Sequence, residues 1–433
     1  MKKRKMKQVT LMSLVAFCAM LLTGVSCQRE VFDEKKYEEL LDSICPVDSI
    51  DINHNWVLTT TTDLLVMMPE GMNAEKVQIL TSNPRQSGNA QIVGQAYVPD
   101  GEKRMMRISF PSTLSTLYAA LVDRNGKYTL EEFIPGEQSL VSFSKPIFES
   151  EEISYEPQLQ TYTYCFEEEY PKPGDYDYND VVLRISQERT GRTEMRYHVT
   201  LAAVGANKQV GACLRLVDVP YNDVESVSTV NDLSFNVANG KTISDQMMYV
   251  LTDKSLFTKG RHDEVVLNLF VDAHWATGEK MDDNFGMMGR KKYNVTKGTS
   301  GTTQMMVPRE ITYVVTFKDE NILNNMSLDQ LDPFIVEEFN GGRWEVHTYE
   351  YRHAQVLYPY TGSKIAKLPW AFKIPSGTFR WPLEGVNIGF IIDGKILFGA
   401  YATEGHSFGE WAMDHSRFLD WYLERYATST RVF

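Results

Sequence analysis

Beyond the first fifty or so residues, apolar positions come in short runs rather than in long helical stripes. Residues 77–80, 105–110, 117–122 and 128–133 are rich in β-branched, aromatic or other apolar side chains, the composition of half-buried strands. Asn125-Gly126 separates the last two runs. That pair predicts a type I′ hairpin turn, whose two central residues both need positive φ. About 90 residues of this pattern point to a small β-sandwich over residues 56–148. Pro146 and the acidic stretch 149–156 read as a linker. Strand-like runs resume at 181–185, 197–204, 265–271, 312–317 and 388–398, the last holding Asp393-Gly394 as a tight-turn pair. Between them lie long polar loops, notably 273–310. Helical periodicity is confined to two places. One is 33–44, with Tyr37, Leu40, Leu41 and Ile44 on one face and Pro46 ending it; the other is 417–426. The predicted fold is therefore mainly β: an N-terminal β-sandwich, then a larger β-rich domain over 149–433 closing with a short C-terminal helix.

The N-terminus has a different pattern. Lys2, Lys3, Arg4, Lys5 and Lys7 precede an apolar stretch from Val9 to Leu22, interrupted by Thr10 and Ser13. This core is short for a membrane span, which needs about 20 apolar residues. Thr23-Gly24-Val25-Ser26 then leads to Cys27. The layout is that of a secretory signal, and the small residue before a cysteine suits lipoprotein processing. Residues 1–26 are thus expected to be removed and Cys27 to carry lipid. Gly24 stands where such signals usually have leucine. Residues 27–55 read as a tether with a short helix. Within it, Asp42-Ser43-Ile44 and Asp48-Ser49-Ile50 make Ser43 and Ser49 candidate O-glycosylation sites.

Charge narrows the classes of partner. The chain has 44 basic and 57 acidic residues, a net charge of −13. Loss of the five basic residues of the signal takes the mature chain to −18. Such a surface repels nucleic acid and anionic headgroups, so the lipid is the expected route to the membrane. Besides Cys18 and Cys27 there are Cys45, Cys165 and Cys213. They are widely spaced and no CxxC occurs, which leaves one disulfide or three buried thiols open.

The densest candidate chemistry is Pro173-Gly174-Asp175-Tyr176-Asp177-Tyr178-Asn179-Asp180. Asp175, Asp177 and Asn179 alternate, so a looped backbone can turn all three to one side. Carboxylates that close repel one another. Ca²⁺, which takes six to eight oxygen ligands, would relieve the repulsion. Glu167, from the run Glu167-Glu168-Glu169, could add a ligand. The spacing starts like an EF-hand but has Asp180 at position six and Ser186 at position twelve, in place of Gly and Glu. The bland alternative is a set of Asx turns at a strand start.

This motif also carries a family resemblance. Residues 166–182 resemble the signature of the LruC-domain family of bacterial surface and outer-membrane lipoproteins. Later segments agree in order: Asp332-Pro333-Phe334-Ile335, Glu345-Val346-His347, Leu368-Pro369-Trp370-Ala371, Phe379-Arg380-Trp381-Pro382-Leu383-Glu384, Phe408-Gly409-Glu410-Trp411-Ala412 and Asp420-Trp421-Tyr422. The resemblance spans roughly 160–425. It departs after His347, where Thr348-Tyr349-Glu350 replaces the family's Leu-Pro-Gly turn. It implies a β-rich envelope module without an established activity. The carry-over to calcium applies to Asp175, Asp177, Asn179 and Asp180.

Other constellations are weaker. Gly405-His406-Ser407-Phe408-Gly409 fits the nucleophile-elbow pattern, but no βαβ rhythm precedes it and no acid-then-His order follows at workable distance. It reads as a surface turn. His347 and His353 flank Glu350 without the four-residue gap of HExxH, and read as two exposed histidines. Asp272, His274, Asp282 and Asp283 are scattered acids and a histidine at a strand end. Neither GxGxxG nor GxxxxGK[ST] occurs. The resulting expectation is a non-enzymatic, lipid-anchored protein of the outer membrane, exposed at the cell surface. Its role is structural, adhesive or ligand-binding, toward a glycan or protein, with a calcium-stabilised Asp-rich loop. The alternatives are a glycan-capture protein using exposed Trp and Tyr, and, less supported, a hydrolase.

Overall fold

The structure is a computed structural model. It describes residues 49–72, 74–137, 140–143, 155–168, 174–230, 256–260, 262–278, 290–296, 303–339, 342–348, 368–389, 391–392, 395–396 and 399–433. Residues 45–433 belong to one compact unit. Ser49 is exposed, whereas the signal, Cys27, Ser43, Cys45 and the 148/149 boundary lie outside the described residues.

The described chain is mainly β. The N-terminal part contains β1 (Thr59–Met67), β2 (Ala74–Leu80), β3 (Gln91–Ala96), β4 (Lys103–Pro111), β5 (Leu117–Asp123), β6 (Tyr128–Phe133), β7 (Leu140–Val141) and β8 (Gln158–Leu159). They form a three-stranded sheet, β4-β1-β7, and a five-stranded sheet, β6-β5-β2-β3-β8. Period-two alternation sends Leu64 and Val66 of β1, and Met106 and Ile108 of β4, into one core. Val77, Ile79, Val93 and Leu121 enter it from the other sheet. Gly94 marks a close approach of the two: a Cβ there would lie 2.5 Å from Ile108 Cγ2 and 2.8 Å from Met106 Cε. The β5–β6 hairpin differs from the sequence expectation. Only Gly126 takes positive φ (+76°) and Asn125 does not. Asp123 Oδ1 accepts from the Asn125 and Lys127 amides, each at 2.8 Å. That Asx capping holds a turn in which glycine alone is left-handed.

The next strands are β9 (Thr161–Phe166), β10 (Val181–Arg189), β11 (Glu194–Ala203), β12 (Gly211–Pro220), β13 (Val224–Val230), β14 (Phe257–Lys259) and β15 (Glu264–Phe270). After helix α1 (Ala273–Thr277) come the short β16 (Lys292–Tyr293) and β17 (Thr303–Gln304), then β18 (Arg309–Phe317). Helix α2 (Glu320–Asn324) precedes β19 (Leu331–Phe339), β20 (Gly342–His347) and β21 (Ala371–Ile374). The sheets are β13-β18-β11-β10-β9-β21 and β14-β15-β12-β19-β20. Tyr197 and Val199 of β11, Tyr313 and Val315 of β18, and Leu214 and Leu267 of the second sheet share one core. The buried Tyr313 hydroxyl donates across it to the Asn268 carbonyl. Cys165 and Cys213 are both buried in this region, with Cys213 Sγ 3.9 Å from Asn268 Oδ1.

Polar contacts join the N-terminal sheets to this body. Ser109 Oγ lies 2.7 Å from Tyr162 Oη, and Gln95 Nε2 donates to the Arg189 carbonyl at 2.7 Å. The end of the expected tether is pinned as well. The Asp51 amide donates to the Ala412 carbonyl at 3.0 Å, and the buried His54 stacks on Trp56.

The chain closes with the short β22 (Ile391–Ile392), β23 (Lys395–Ile396) and α3 (Phe408–Met413). The helix expected over 417–426 does not form there. That stretch is a series of turns ending in a 3₁₀ turn, Glu424–Tyr426. Phe418 sits at φ +57°, which interrupts a right-handed helix. The adjacent Trp421 and Tyr422 are both buried. Trp421 stacks at 5.6 Å on Trp411 of α3, in an aromatic cluster with Phe372, Phe379, Tyr401 and Phe408.

Candidate functional site

β9 and β10 pair antiparallel, with Phe166 opposite Val181. The Asp-rich segment is the end of the loop between them. Two buried tyrosines anchor it. Tyr178 Oη donates to the Pro369 carbonyl at 2.9 Å, and the Tyr176 carbonyl accepts from the Ile388 amide at 2.8 Å. Both tyrosines take positive φ, +60° and +52°. Left-handed non-glycine residues cost conformational energy that surrounding structure must offset, and they gather at functional sites. Here they alternate with the oxygen-bearing residues. The loop is clamped from two further directions. The Gly205 amide, just beyond β11, donates to the carbonyls of Asn179 (2.9 Å) and Asp180 (3.0 Å). The Gly385 amide donates to Asp177 Oδ2 at 2.7 Å.

Carboxylates converge inside this frame. One oxygen each from Glu167, Asp175 and Asp177 lie within 4.8 Å of one another. Asp175 is exposed, whereas Glu167 and Asp177 are 2% and 1% exposed. Glu167 Oε1 accepts from the Tyr178 amide at 2.7 Å, yet its buried Oε2 has no hydrogen-bond partner. Asn179, fully buried, donates through Nδ2 to the Pro382 carbonyl at 3.2 Å and leaves Oδ1 unpartnered. Buried polar atoms are ordinarily satisfied. Orphaned oxygens with carboxylates around them can be met by a cation or by a hydrogen-bond donor.

The electrostatics agree. Burial, and then the negative charges of Asp180, Asp177 and Asp175, hold the Glu167 carboxyl well above its ordinary range. Burial does the same to Asp177, with Asp175 and Asp180 adding to it. Asp180 is pushed up by burial and by Glu168. Glu384 is raised by burial, although Lys292 pulls it back.

The sequence-derived set is thus partly reassembled. Glu167, Asp175 and Asp177 meet in one group. Asp180 is outside that group: its Oδ2 accepts from the Glu168 amide at 2.7 Å. Asn179 turns its free oxygen toward Gly205. A Cβ on Gly205 would collide with Asn179 Oδ1 and stand 3.1 Å from Glu384 Oε2. Sequence reasoning missed Glu384, Gly385, Gly205 and Lys292, which come from distant stretches. The available signal was Glu384 at the end of a motif, Phe379 to Glu384, noted only for resemblance.

The remaining candidates have structural settings. Ser407 is the N-cap of α3 in a capping box with Glu410, its Oγ 2.8 Å from Glu410 Oε2, rather than a surface turn. His347 is not exposed: it is buried between Asp332 (2.8 Å) and Glu345 (3.2 Å). Glu350, His353, Asp282 and Asp283 lie outside the described residues. Asp272 caps the start of α1, accepting from the His274 amide at 2.9 Å, and pairs with Arg290 at 2.8 Å. Trp56, Trp275, Trp381, Trp411 and Trp421 are buried, and Trp344 and Trp370 pack partly against the core. The tryptophans therefore do not form an exposed platform for sugars.

No curated protein matches the sequence. A crystal structure titled "Putative lipoprotein from Bacteroides ovatus" is similar at 16% identity and a TM-score of 0.47, covering 83% of this chain and 99% of that one. The family described as Domain of unknown function (DUF4842) matches residues 193–411. That match takes in Gly205, Lys292 and Glu384 and begins after the Asp-rich loop. Spanning half of the 433 residues, it shows that the chain belongs to the DUF4842 family.

Proposed function

We propose that this protein is an exported, lipid-anchored envelope protein of structural, adhesive or ligand-binding role, stabilised by Ca²⁺ in its Asp-rich loop. The observation that carries the metal reading is the buried, unpartnered Glu167 Oε2, grouped within 4.8 Å with carboxylate oxygens of Asp175 and Asp177. All the donors are oxygens, two of them buried carboxylates, a set that suits a hard cation. Ca²⁺ tolerates irregular coordination better than Mg²⁺ does, and an irregular loop supplies the ligands.

Anchoring is supported by the signal layout before Cys27 and by the resemblance of residues 160–425 to LruC-domain lipoproteins. With no helix among the described residues long and apolar enough to cross a membrane, the lipid at Cys27 is the attachment this reading uses. Placement in the outer membrane and display at the surface belong to the same proposal. The two face-to-face N-terminal sheets read as a β-sandwich carried in front of the larger β domain.

Calorimetric melting with Ca²⁺ and with EDTA tests the metal. The expected result is a higher melting temperature in Ca²⁺, lost in Asp177→Ala. Equal melting temperatures in the two buffers would remove the metal from the proposal.

A further inference from the structure

We infer that Glu384 supplies the closing ligand of the cation site, across Gly205 from Asn179, and that Lys292 competes with the cation for it. The inference rests on the calcium reading and names two residues that the Asp-rich motif does not contain.

Asn179 Oδ1, fully buried, and Glu384 Oε2 are both unpartnered acceptors. Both point at the space beside the Gly205 Cα, where a side chain would strike the first and stand 3.1 Å from the second. Two acceptors packed beside one bare glycine, neither with a hydrogen-bond partner, are groups that a cation would satisfy. Glu384 is also tied to the carboxylate group through its neighbour: the Gly385 amide holds Asp177 Oδ2 at 2.7 Å. The Glu384 amide is fixed in turn by the Val295 carbonyl at 3.0 Å. The other Glu384 oxygen, Oε1, bonds the Lys292 ammonium. Lys292 and Glu384 are both mostly buried, with side-chain exposures of 15% and 25%, so their pair is shielded from bulk salt. A cation drawing on Glu384 has to share it with, or take it from, that ammonium. Binding would then tie the β9–β10 loop, the end of β11 and the 382–386 turn together.

The test is titration of the metal-stripped protein with CaCl₂, followed by heat and by melting temperature. Glu384→Gln is expected to weaken Ca²⁺ binding by about tenfold or more, the scale on which loss of an oriented partner reduces metal affinity. Gly205→Ala drives a methyl group against Asn179 Oδ1 without changing charge and is expected to weaken binding comparably. Lys292→Met is expected to tighten binding severalfold in the wild-type background and to do little in Glu384→Gln. That non-additivity separates competition for Glu384 from a general field effect. Should Glu384→Gln fail to fold, Glu384→Asp, which keeps the charge and shortens the reach, takes its place with the same expected direction. Wild-type affinity in Glu384→Gln, with Asp177→Ala still defective, overturns the inference and leaves the calcium reading standing. Absence of binding in the wild type overturns both.

Discussion

Two regions of this protein bury several carboxylates, and they differ in where the compensating charge comes from. In the five-stranded sheet, Arg215 of β12 lies at the centre of Glu264, Asp332 and Glu345, with N–O distances of 3.6, 3.7 and 3.7 Å. His347 bridges Asp332 and Glu345 and stacks on Phe334 at 4.6 Å. The strand registers place these groups, with Arg215 opposite Asp332 and Phe334 opposite His347. Three acids there are met by a guanidinium and an imidazole of the chain. In the loop after β9, Glu167, Asp175 and Asp177 gather, the charge of Asp180 acts on Glu167 and Asp177 from outside that group, and Lys292 is bonded to Glu384. In the first region the facing cation, Arg215, belongs to the chain, although Asp332 Oδ1 has no hydrogen-bond partner. The second is consistent with a built site whose counter-charge arrives from solution.

Replacing the centre of the first region should have the largest effect. Arg215→Met leaves three buried carboxylates without their guanidinium, and breaking a buried pair by removing one partner costs about 3–5 kcal/mol. Urea unfolding should show that loss equally in Ca²⁺ and in EDTA. A loss below about 1 kcal/mol, or one that Ca²⁺ repairs, would erase the distinction between the regions. Next in size is the calcium effect itself. At a free concentration one hundred times Kd, a ligand specific to the folded state adds about 2.7 kcal/mol. That increment should vanish in Asp177→Ala and persist in His347→Gln, and the reverse outcome would exchange the roles assigned to the two regions.

The smallest expected effect is a pH dependence specific to the first region. Burial alone would lower the His347 pKa, but the charge and hydrogen bond of Asp332, and then those of Glu345, raise it above the ordinary histidine value. A group raised in the folded state binds its proton more tightly there than in the unfolded chain. Its contribution is thus fully present below about pH 6.5 and is lost as pH climbs through the folded value. His54 has the opposite sign. Burial lowers it to about 4, so it contributes above about pH 6.5 and loses that contribution as pH falls toward 4. Stability curves of His347→Gln and His54→Gln should accordingly flatten on the alkaline and acid sides respectively. Unchanged curves would remove the electrostatic account of either residue.

Much of the β architecture was readable from alternation. The run 128–133 is β6, and 117–122 falls within β5. β9 and β12 were missed because their residues are buried almost without alternation, a pattern that periodicity does not separate from other buried segments. The 417–426 stretch carries helical spacing, but Trp421 and Tyr422 are drawn into an aromatic core supplied largely by other stretches of the chain. At the candidate site, the alternation of Asp175, Asp177 and Asn179 was legible because it is local. Gly385, 208 residues from Asp177, was not, because only the tertiary crossing brings it there. His347 read as exposed for the same reason: Asp332 and Arg215 lie on neighbouring strands that a linear scan does not pair.

The central claim is that the second region takes its counter-charge from solution as Ca²⁺. Isothermal titration of the metal-stripped protein with CaCl₂ tests it most directly. The expected result is a saturable binding heat that Asp177→Ala abolishes and His347→Gln retains. Heats no larger than dilution in the wild type, or the same isotherm in Asp177→Ala, would contradict it.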